Sequence, residues 1–300
     1  MKSLLLLFLG LFSIGGQKNW VGFIPQQEAV LQKKFNDNLT ARSWMVLDLQ
    51  SGQVLTAKDP NIAFAPASLT KIATALVALD YYDLDKVLEV KERYWVGRHM
   101  GLLRGERIKV IDLLFGLLVH SANDAAYNLA SNYSGGVSAF VEKMNLWVKE
   151  KGLERTHFAN FDGEEDENHY STAADLAKLA RIFLQNPLLA QIVDLEEKVV
   201  SDISGSHRHY LQTTNELLGQ SGEIRGLKTG WTEQAGECFV GLFEIEESGQ
   251  AHPVLTVVLG SNDRFGETLT LLNWAKESIS WKDHSATHSL EIAGTKAVKL

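Results

Sequence analysis

The sequence has very little of what would stabilise a small cross-linked domain or attract nucleic acid. It contains one cysteine, Cys238, so no disulfide can form within the chain and a disulfide-stapled scaffold is excluded. No run of five or more basic residues occurs, and the net charge is −8. Because phosphate binding depends on clustered Lys and Arg, these features argue against a nucleic-acid partner. Hydrophobic residues make up 45% of the chain, which is enough for a substantial core.

The common metal and hydrolase motifs are also missing. Nine histidines are present, but they form no His-Glu-x-x-His pair and no spaced Cys/His set of the kind that binds zinc. The acidic stretch at 162–167 lacks the spacing of a calcium-binding EF-hand loop. No Gly-x-Ser-x-Gly occurs, which removes the nucleophile elbow of the α/β-hydrolases. We therefore expect neither a metal nor another cofactor.

The N-terminus has the features of an export signal. Lys2 is followed by an apolar run at 4–14 and then by Gly15 and Gly16, the order typical of a secretory signal peptide, which we place at 1–16. A helix over this run would span roughly 16 Å, about half of a bilayer core of ~30 Å, so a permanent membrane span is not expected. A short apolar core helix is the alternative. We therefore predict that the protein acts outside the cytoplasm, in a periplasm or at a cell surface.

Hydrophobic periodicity predicts an α+β fold with one domain over 22–282. Strands are expected at 44–49, 53–56, 223–229, 236–245 and 253–260. Helices are expected at 26–38, from 68 onward, and at 110–119, 124–130, 137–149, 173–184 and 269–279. We infer an antiparallel sheet formed from N- and C-terminal segments and flanked by helices, with an all-helical lobe beside it. The sheet lobe covers about 22–67 and 195–282, the helical lobe covers about 68–194, and a polar tail follows at 283–300.

Ser68 and Lys71 are the first candidate catalytic pair. On a helix, residues three apart share one face, so the Lys71 amine can reach the Ser68 hydroxyl. A serine hydroxyl is a weak nucleophile that needs an adjacent base, and a lysine can serve only if burial or another cation lowers its pKa. The free N–H groups at the start of the helix would also favour a developing oxyanion. A helix start with an exposed lysine is the structural alternative.

Two further motifs carry polar groups that could face a common cleft. Ser121 and Asn123 lie between two predicted helices, where Ser121 could relay a proton and Asn123 could bind a peptide carbonyl. Their alternative role is to cap the following helix.

Lys228, Thr229 and Gly230 end a predicted strand; they would supply a positive charge, a hydroxyl and a backbone open to close approach. The alternative there is a strand that leads into a turn.

The order of these motifs and their surroundings resemble one enzyme family. Ser-x-x-Lys, Ser-x-Asn and Lys-Thr-Gly occur together in class A β-lactamases and penicillin-binding proteins. Residues 66–71 (PASLTK), 121–125 (SANDA) and 226–232 (GLKTGWT) are similar to the motifs of the D-alanyl-D-alanine carboxypeptidases, the low-molecular-weight penicillin-binding proteins. Residues 170–176 (YSTAADL) and 215–218 (NELL) resemble two other blocks of that family. The resemblance runs from about Arg42 to Ala275.

The resemblance implies a covalent mechanism. Ser68 would attack the carbonyl of the D-Ala–D-Ala peptide and form an acyl-enzyme, with Lys71 as general base. Ser121 would pass a proton to the departing D-alanine, and Asn123 would orient the peptide. The substrates would be peptidoglycan stem peptides, and β-lactam antibiotics would be covalent inhibitors.

The resemblance also implies a set of binding groups. Lys228 would provide positive charge beside Ser121 and the substrate, and Thr229 and Gly230 would complete the strand that lines the cleft. The backbone N–H groups of Ser68 and Trp231 would form the oxyanion hole. Arg264 would bind the terminal carboxylate, which a guanidinium can hold through two parallel hydrogen bonds; a surface charge at a helix start is its alternative.

Two departures from the family pattern leave alternatives open. Trp231 stands where many members have histidine, which could shift substrate preference. Many relatives carry a C-terminal β-domain and an amphipathic anchor helix, and because the chain ends soon after its last predicted helix, no stable membrane anchor is expected.

A DD-endopeptidase that cleaves crosslinks shares all three motifs. A β-lactamase ranks lower because no Glu-x-x-Leu-Asn segment follows the second motif, and an inactive penicillin-sensing domain is the remaining alternative.

Overall fold

The computed structural model describes residues 27–283. The predicted signal peptide at 1–16 lies outside the described residues, as do 22–26 and the tail beyond 283. The described helices are α1 (Lys71–Tyr81), α2 (Val110–Leu118), α3 (Asn123–Ser131), α4 (Gly136–Glu150), α5 (Ala173–Leu184), α6 (Pro187–Val193) and α7 (Arg264–Ser278). The described strands are β1 (Gln27–Leu31), β2 (Ser43–Asp48), β3 (Val54–Lys58), β4 (Val87–Glu89), β5 (Arg107–Lys109), β6 (Glu197–Ser201), β7 (Arg208–Gln212), β8 (Ile224–Thr232), β9 (Gly236–Glu247), β10 (Gln250–Ser261) and β11 (Ile279–Asp283).

The central sheet joins the two ends of the chain. It has five antiparallel strands in the order β3-β2-β10-β9-β8. Ser248 and Gly249 connect β9 to β10, and their φ angles of 53° and 77° are the positive values that a two-residue hairpin turn requires. β10 then pairs with the N-terminal β2. The predicted α+β fold, with an antiparallel sheet formed from both ends of the chain, is confirmed.

Helices cover both faces of this sheet, which explains why the central residues of its inner strands are buried on both faces. Along β10, Val254 and Val258 point into a core shared with α7, whereas Leu255 and Val257 point into the larger core of the helical lobe. This alternation follows from the two-residue period of a strand. The sheet therefore separates two hydrophobic cores, and its edge strand β8 borders the helical lobe.

The N-terminal segment is a strand and not the predicted helix at 26–38. β1 pairs with β11 in antiparallel register, with Ala29 opposite Trp281. Ala29 is buried in the core beside α7. The amphipathic pattern at 26–38 favours a short helix on local spacing alone, but the partner strand lies at the other end of the chain, and pairing with it overrides the local preference. The tertiary pairing therefore decided the structure.

The closing helix, α7, begins at Arg264 and so five residues before the predicted start at 269. The Asp263 side chain accepts a hydrogen bond from the Gly266 N–H at 2.9 Å and caps the first turn, as aspartate commonly does. The earlier start places Arg264 in the first turn of α7. Two small two-stranded sheets (β4–β5 and β6–β7) and α6 were not predicted.

Helix α1 is the buried centre of the helical lobe. It packs against α2, α3, α4 and α5, and its residues from Lys71 to Ala78 are all buried. A 3₁₀ turn, Ala67–Thr70, precedes it and packs against β8. The N-terminal end of α1 therefore lies where the helical lobe meets the sheet edge.

Candidate active site

Ser68 and Lys71 are held together by the geometry of the 3₁₀ turn. Ser68 lies within this turn and not in the predicted α-helix, and α1 begins at Lys71. A 3₁₀ helix has three residues per turn, so residues i and i+3 eclipse each other. Lys71 Nζ lies 2.7 Å from Ser68 Oγ and 2.6 Å from the Asp162 carbonyl oxygen. The amine is thus fixed between the serine hydroxyl and a backbone acceptor.

The protonation of Lys71 is shifted toward the neutral form. Its side chain is 0% exposed, and burial is the main reason that its pKa falls to about 8, while the carboxylates of Asp162 and Glu164 oppose the shift. A lysine with this pKa is partly neutral near physiological pH, whereas an ordinary lysine is almost fully protonated. The alternative of a helix start with an exposed lysine is therefore wrong.

A buried chain of hydrogen bonds supports the backbone next to Ser68. Ala67 has a φ of 49°, a left-handed conformation that is strained for a residue with a Cβ. The Thr70 hydroxyl donates to the Ala67 carbonyl at 2.8 Å and contacts His169 Nε2 at 2.7 Å. His169 Nδ1 accepts the Ala159 N–H, and burial lowers the pKa of His169 to about 4. A neutral His169 therefore donates through Nε2 and completes the chain.

Ser121 and Lys228 form a second pair across the cleft. Ser121 has a φ of 59° between α2 and α3, and its Oγ accepts a hydrogen bond from Lys228 Nζ at 2.8 Å. Lys228 is 1% exposed; burial and then repulsion from Lys71 hold its pKa well below the usual value. The helix-capping alternative is wrong, because Ala122 occupies the cap of α3 and makes no side-chain cap bond.

Asn123 connects three parts of the cleft wall. Its backbone N–H donates to the Arg98 carbonyl at 2.6 Å, and its Nδ2 donates to Glu164 Oε1 at 2.9 Å. The neighbouring Asp124 carboxylate accepts three consecutive backbone N–H groups, from Met100 to Leu102. These bonds fasten the loop that precedes β5 to the start of α3.

The end of β8 forms the opposite wall. Thr229 Oγ1 lies 2.6 Å from Thr214 Oγ1. Gly230 faces the 3₁₀ turn so closely that an added Cβ would lie 3.2 Å from Ser68 N, which is tighter than an ordinary contact. Trp231 is 60% exposed and lines the cleft, so its indole is open to a substrate.

Arg264 completes this wall from the first turn of α7. Its Nη1 donates to the Gly230 carbonyl at 3.1 Å, and its guanidinium lies over the Phe265 ring at 4.9 Å from the ring centroid. Arg264 Nε is buried and has no hydrogen-bond partner among the described residues. Arg264 lines the cleft beside Gly230. It is therefore not simply a surface charge at the start of a helix.

The structure brings all the predicted site residues to one cleft of about 720 Å³. Its lining includes seven of them: Ser68, Ser121, Asn123, Thr229, Gly230, Trp231 and Arg264. The other two, Lys71 and Lys228, are buried and bond the two serine hydroxyls. The sequence motifs missed Asp162, Gly163 and Glu164, which approach the site from the acidic loop between α4 and α5. The Asp-Gly pair was their one local signal, because glycine commonly marks a turn or a close backbone approach.

Comparisons with known proteins agree with this geometry. The sequence profile of the D-alanyl-D-alanine carboxypeptidases matches residues 28–263. The chain belongs to this family. A variant of the Streptomyces K15 DD-transpeptidase matches the structure with a TM-score of 0.74 and 29% identity, over 80% of this chain and 98% of that one. The family fold expected from the motifs is therefore confirmed.

The matches cover different shares of the relatives' own length. The D-alanyl-D-alanine carboxypeptidase DacF of Bacillus subtilis is 33% identical over 66% of this chain, and the match spans 52% of DacF. DacD of Salmonella typhimurium is 32% identical over 87% of this chain and 66% of its own. The D-alanyl-D-alanine endopeptidase of Pseudomonas aeruginosa is 33% identical over 91% of this chain and 89% of its own. The chain thus spans between half and two thirds of the two carboxypeptidases.

No helix within residues 27–283 is long and apolar enough to cross a membrane. No group of three or more His, Cys, Asp or Glu side chains there is arranged to hold a metal ion.

Gly163 is a position where this structure has no room for a side chain. It has a φ of +93°, and an added Cβ would overlap the Ala67 carbonyl oxygen and lie 2.8 Å from Ser68 N. Both neighbours are backbone atoms and cannot rotate away. We expect Gly163→Ala to lower the free energy of unfolding by about 3 kcal/mol, from left-handed strain and overpacking together. Urea denaturation measures this loss, and labelling with a fluorescent penicillin should slow because the 3₁₀ turn moves.

Gly101→Ala is the matched control for this variant. Gly101 has a φ of +90°, and no atom lies within 4 Å of an added Cβ, so the substitution adds only the left-handed strain of about 1–2 kcal/mol. Equal losses of stability in the two variants would refute the proposed overlap at Gly163.

Proposed function

We propose that this chain is a serine D-alanyl-D-alanine carboxypeptidase that removes the terminal D-alanine from peptidoglycan stem peptides. The 2.7 Å contact between Lys71 Nζ and Ser68 Oγ carries the proposal. A serine hydroxyl needs an adjacent base, and burial makes Lys71 a base by lowering its pKa to about 8. Penicillins and other β-lactams would acylate the same hydroxyl.

Acylation would begin with proton transfer from Ser68 Oγ to the neutral amine of Lys71. Oγ attacks the carbonyl carbon of the penultimate D-alanine, and the carbonyl oxygen becomes an oxyanion. The backbone N–H groups of Ser68 and Trp231 are proposed to bind that oxyanion, the kind of interaction that lowers acyl-transfer barriers most. The closeness of Gly230 to Ser68 N supports this role for the end of β8.

Release of D-alanine requires a proton on the leaving amine. Ser121 would supply it, because Lys228 Nζ donates to Ser121 Oγ and leaves the hydroxyl hydrogen free to be given away. Ser121 would then take back the proton that Lys71 gained from Ser68, so that both side chains return to their starting protonation states. The C–N bond breaks, an ester to Ser68 remains, and the amine leaves as free D-alanine. Water then attacks the ester, releases the shortened peptide and restores the Ser68 hydroxyl.

The remaining cleft residues would position the substrate. Arg264 would bind the terminal carboxylate together with the Thr229 hydroxyl, since both line the same wall and a cationic guanidinium is suited to a carboxylate. Asn123 would hold a peptide group of the stem. Because peptidoglycan lies outside the cytoplasm, we propose that the protein acts there, in keeping with the signal peptide predicted at 1–16.

A DD-endopeptidase that cleaves peptidoglycan crosslinks is the second candidate function. One observation favours it: the Pseudomonas aeruginosa endopeptidase matches over 91% of this chain and 89% of its own length. Both reactions use the same acyl-enzyme chemistry. They differ only in whether the leaving amine belongs to free D-alanine or to a second stem peptide.

The deciding experiment compares two substrates with the purified protein. We expect free D-alanine to be released from a stem pentapeptide that ends in D-Ala-D-Ala, and we expect prior treatment with penicillin to stop the release. Cleavage of a crosslinked dimer without D-alanine release would instead identify an endopeptidase. Rapid, repeated penicillin hydrolysis would identify a β-lactamase, and the absence of every reaction would favour an inactive penicillin-sensing domain.

A further inference from the structure

Glu164 contacts the site in a way that none of the three motifs explains. It lies in the acidic loop between α4 and α5, is half-buried, and lines the cleft with Ser68 and Asn123. Its Oε1 accepts the hydrogen bond from Asn123 Nδ2 at 2.9 Å. No donor among the described residues contacts its second carboxylate oxygen.

The loop backbone on both sides of Glu164 is firmly held. Asn160 Oδ1 accepts the Gly163 N–H, and Asn160 Nδ2 donates to the Glu164 carbonyl, each at 2.8 Å. From α1, the Thr74 hydroxyl donates to the Phe161 carbonyl at 2.6 Å. Lys71 Nζ, also on α1, donates to the Asp162 carbonyl. Glu164 therefore extends from a loop that is fastened to the same helix that carries the base.

A glycine on the opposite side encloses the contact. Gly97 has a φ of +64°, and an added Cβ would lie 2.5 Å from Asn123 Nδ2 and 2.8 Å from Glu164 Oε1. The backbone at this point thus packs directly over the pair. Because the Asn123 N–H is also bonded to the Arg98 carbonyl, the asparagine is fixed at both its backbone and its side chain.

The chemistry of this contact determines which way the Asn123 amide faces. A carboxylate only accepts hydrogen bonds, so it can pair with the N–H₂ end of the amide and not with the oxygen. One Nδ2 hydrogen is used by Glu164 and one remains. Hydrogen bonds to charged groups are also about twice as strong as neutral ones, so the orientation is well determined.

We propose that Glu164 is a positioning residue for the acylation of Ser68: its carboxylate holds the Asn123 amide so that the remaining Nδ2 hydrogen is directed to the peptide carbonyl of the substrate. This inference rests on the proposed function, since it assigns Asn123 to substrate binding. The negative charge of this carboxylate also affects the pKa of Lys71, the proposed base. Burial lowers the pKa of Lys71, and the charges of Asp162 and Glu164 raise it.

The test compares Glu164→Ala and Glu164→Gln by the second-order rate constant for acylation with a fluorescent penicillin, measured on both sides of pH 8. Glu164→Ala removes the acceptor, and we expect acylation to slow about tenfold. Glu164→Gln keeps an oxygen that accepts from Asn123, so most of the rate should return. In both variants the acidic limb of the profile should move to lower pH, because the loss of negative charge makes Lys71 easier to deprotonate.

Two further variants sharpen the result. Glu167 lies on the same loop, is exposed, and makes no hydrogen bond or ion pair within residues 27–283, so Glu167→Gln should leave both the rate and the pH profile unchanged. In an Asn123→Ala background, Glu164→Ala should cause no further loss at the pH optimum, because the two changes interrupt one interaction. A purely structural role would not produce the shift of the acidic limb.

Several outcomes would overturn the proposal. Acylation of Glu164→Ala at or above the wild-type rate would mean that the contact is irrelevant or withholds Asn123 from the substrate. Normal acylation of Glu164→Gln with a long-lived acyl-enzyme would assign Glu164 to hydrolysis of the ester. If Glu164→Ala does not fold, the pH profile of Glu164→Gln decides. An acidic limb at the same pH as in the wild-type protein would then refute the proposal. Failure of the wild-type protein to label at all would instead contradict the proposed function.

Discussion

Ser68→Ala is expected to abolish covalent labelling by penicillin and to reduce D-alanine release by at least about 10⁴-fold. The variant lacks Ser68 Oγ, the proposed nucleophile, which lies 2.7 Å from Lys71 Nζ. No acyl-enzyme can therefore form. The fold should persist, because Lys71 keeps its bond to the Asp162 carbonyl and Ser68 is only half-buried. Intact mass spectrometry after penicillin treatment measures the adduct, and peptide mapping identifies its position.

Ser138→Ala provides the matched control. Ser138 lies on α4 and is exposed, and its hydroxyl makes no hydrogen bond within residues 27–283. This variant should form the adduct at the wild-type rate. A penicillin adduct that survives in Ser68→Ala, or that maps to another residue in the wild-type protein, would rule out Ser68 as the nucleophile.

Lys71→Met should have the second largest effect. Methionine nearly fills the volume of the lysine stem but cannot accept a proton, and loss of a general base typically costs 10²–10⁴-fold. We expect acylation by penicillin to slow by about 10³-fold, within that range. Lys149→Met, on the exposed surface of α4, is the matched control and should acylate normally. A wild-type rate in Lys71→Met would remove Lys71 from the mechanism.

The pH dependence of wild-type acylation tests the same assignment. Lys71 acts as a base only when neutral, and burial lowers its pKa to about 8. The rate constant should therefore rise as pH increases toward and through 8, then level off once the amine is deprotonated. This acidic limb should disappear in Lys71→Met. A wild-type rate constant that falls over the same range would contradict a lysine base.

The parts of the site that the sequence predicted best are those in which the interacting residues are close along the chain. Ser68 and Lys71 are three residues apart, and any helical turn brings such residues to one face. The helix predicted at 173–184 matches α5, since its cap is local: the Thr172 side chain accepts the Asp175 N–H at 3.1 Å. The β9–β10 hairpin also followed from two apolar runs and the turn between them.

The family motifs extended this prediction to residues that are distant along the chain. They predicted which residues share the site but not how those residues contact each other. Lys228 and Ser121 are 107 residues apart, and nothing in their local sequence requires the contact between Nζ and Oγ. The order of the motifs predicted that these residues share a site. It did not predict that both lysines would be buried, and burial is the main cause that lowers the pKa of each.

The structure alone decided the features that depend on packing between segments. The strand identity of β1 was settled by β11 at the other end of the chain, because pairing with a distant strand can override a local pattern that favours a helix. The hydrogen bond between Glu164 and Asn123 joins residues 41 apart, and the need for glycine at 163 comes from backbone atoms of the 3₁₀ turn. Local sequence was enough to predict that Ser68 and Lys71 lie together, and to predict most of the helices and strands, since short-range geometry is enough for them. The tertiary structure decided which carboxylate and which glycine complete the site, since both depend on distances that the chain acquires only when it folds.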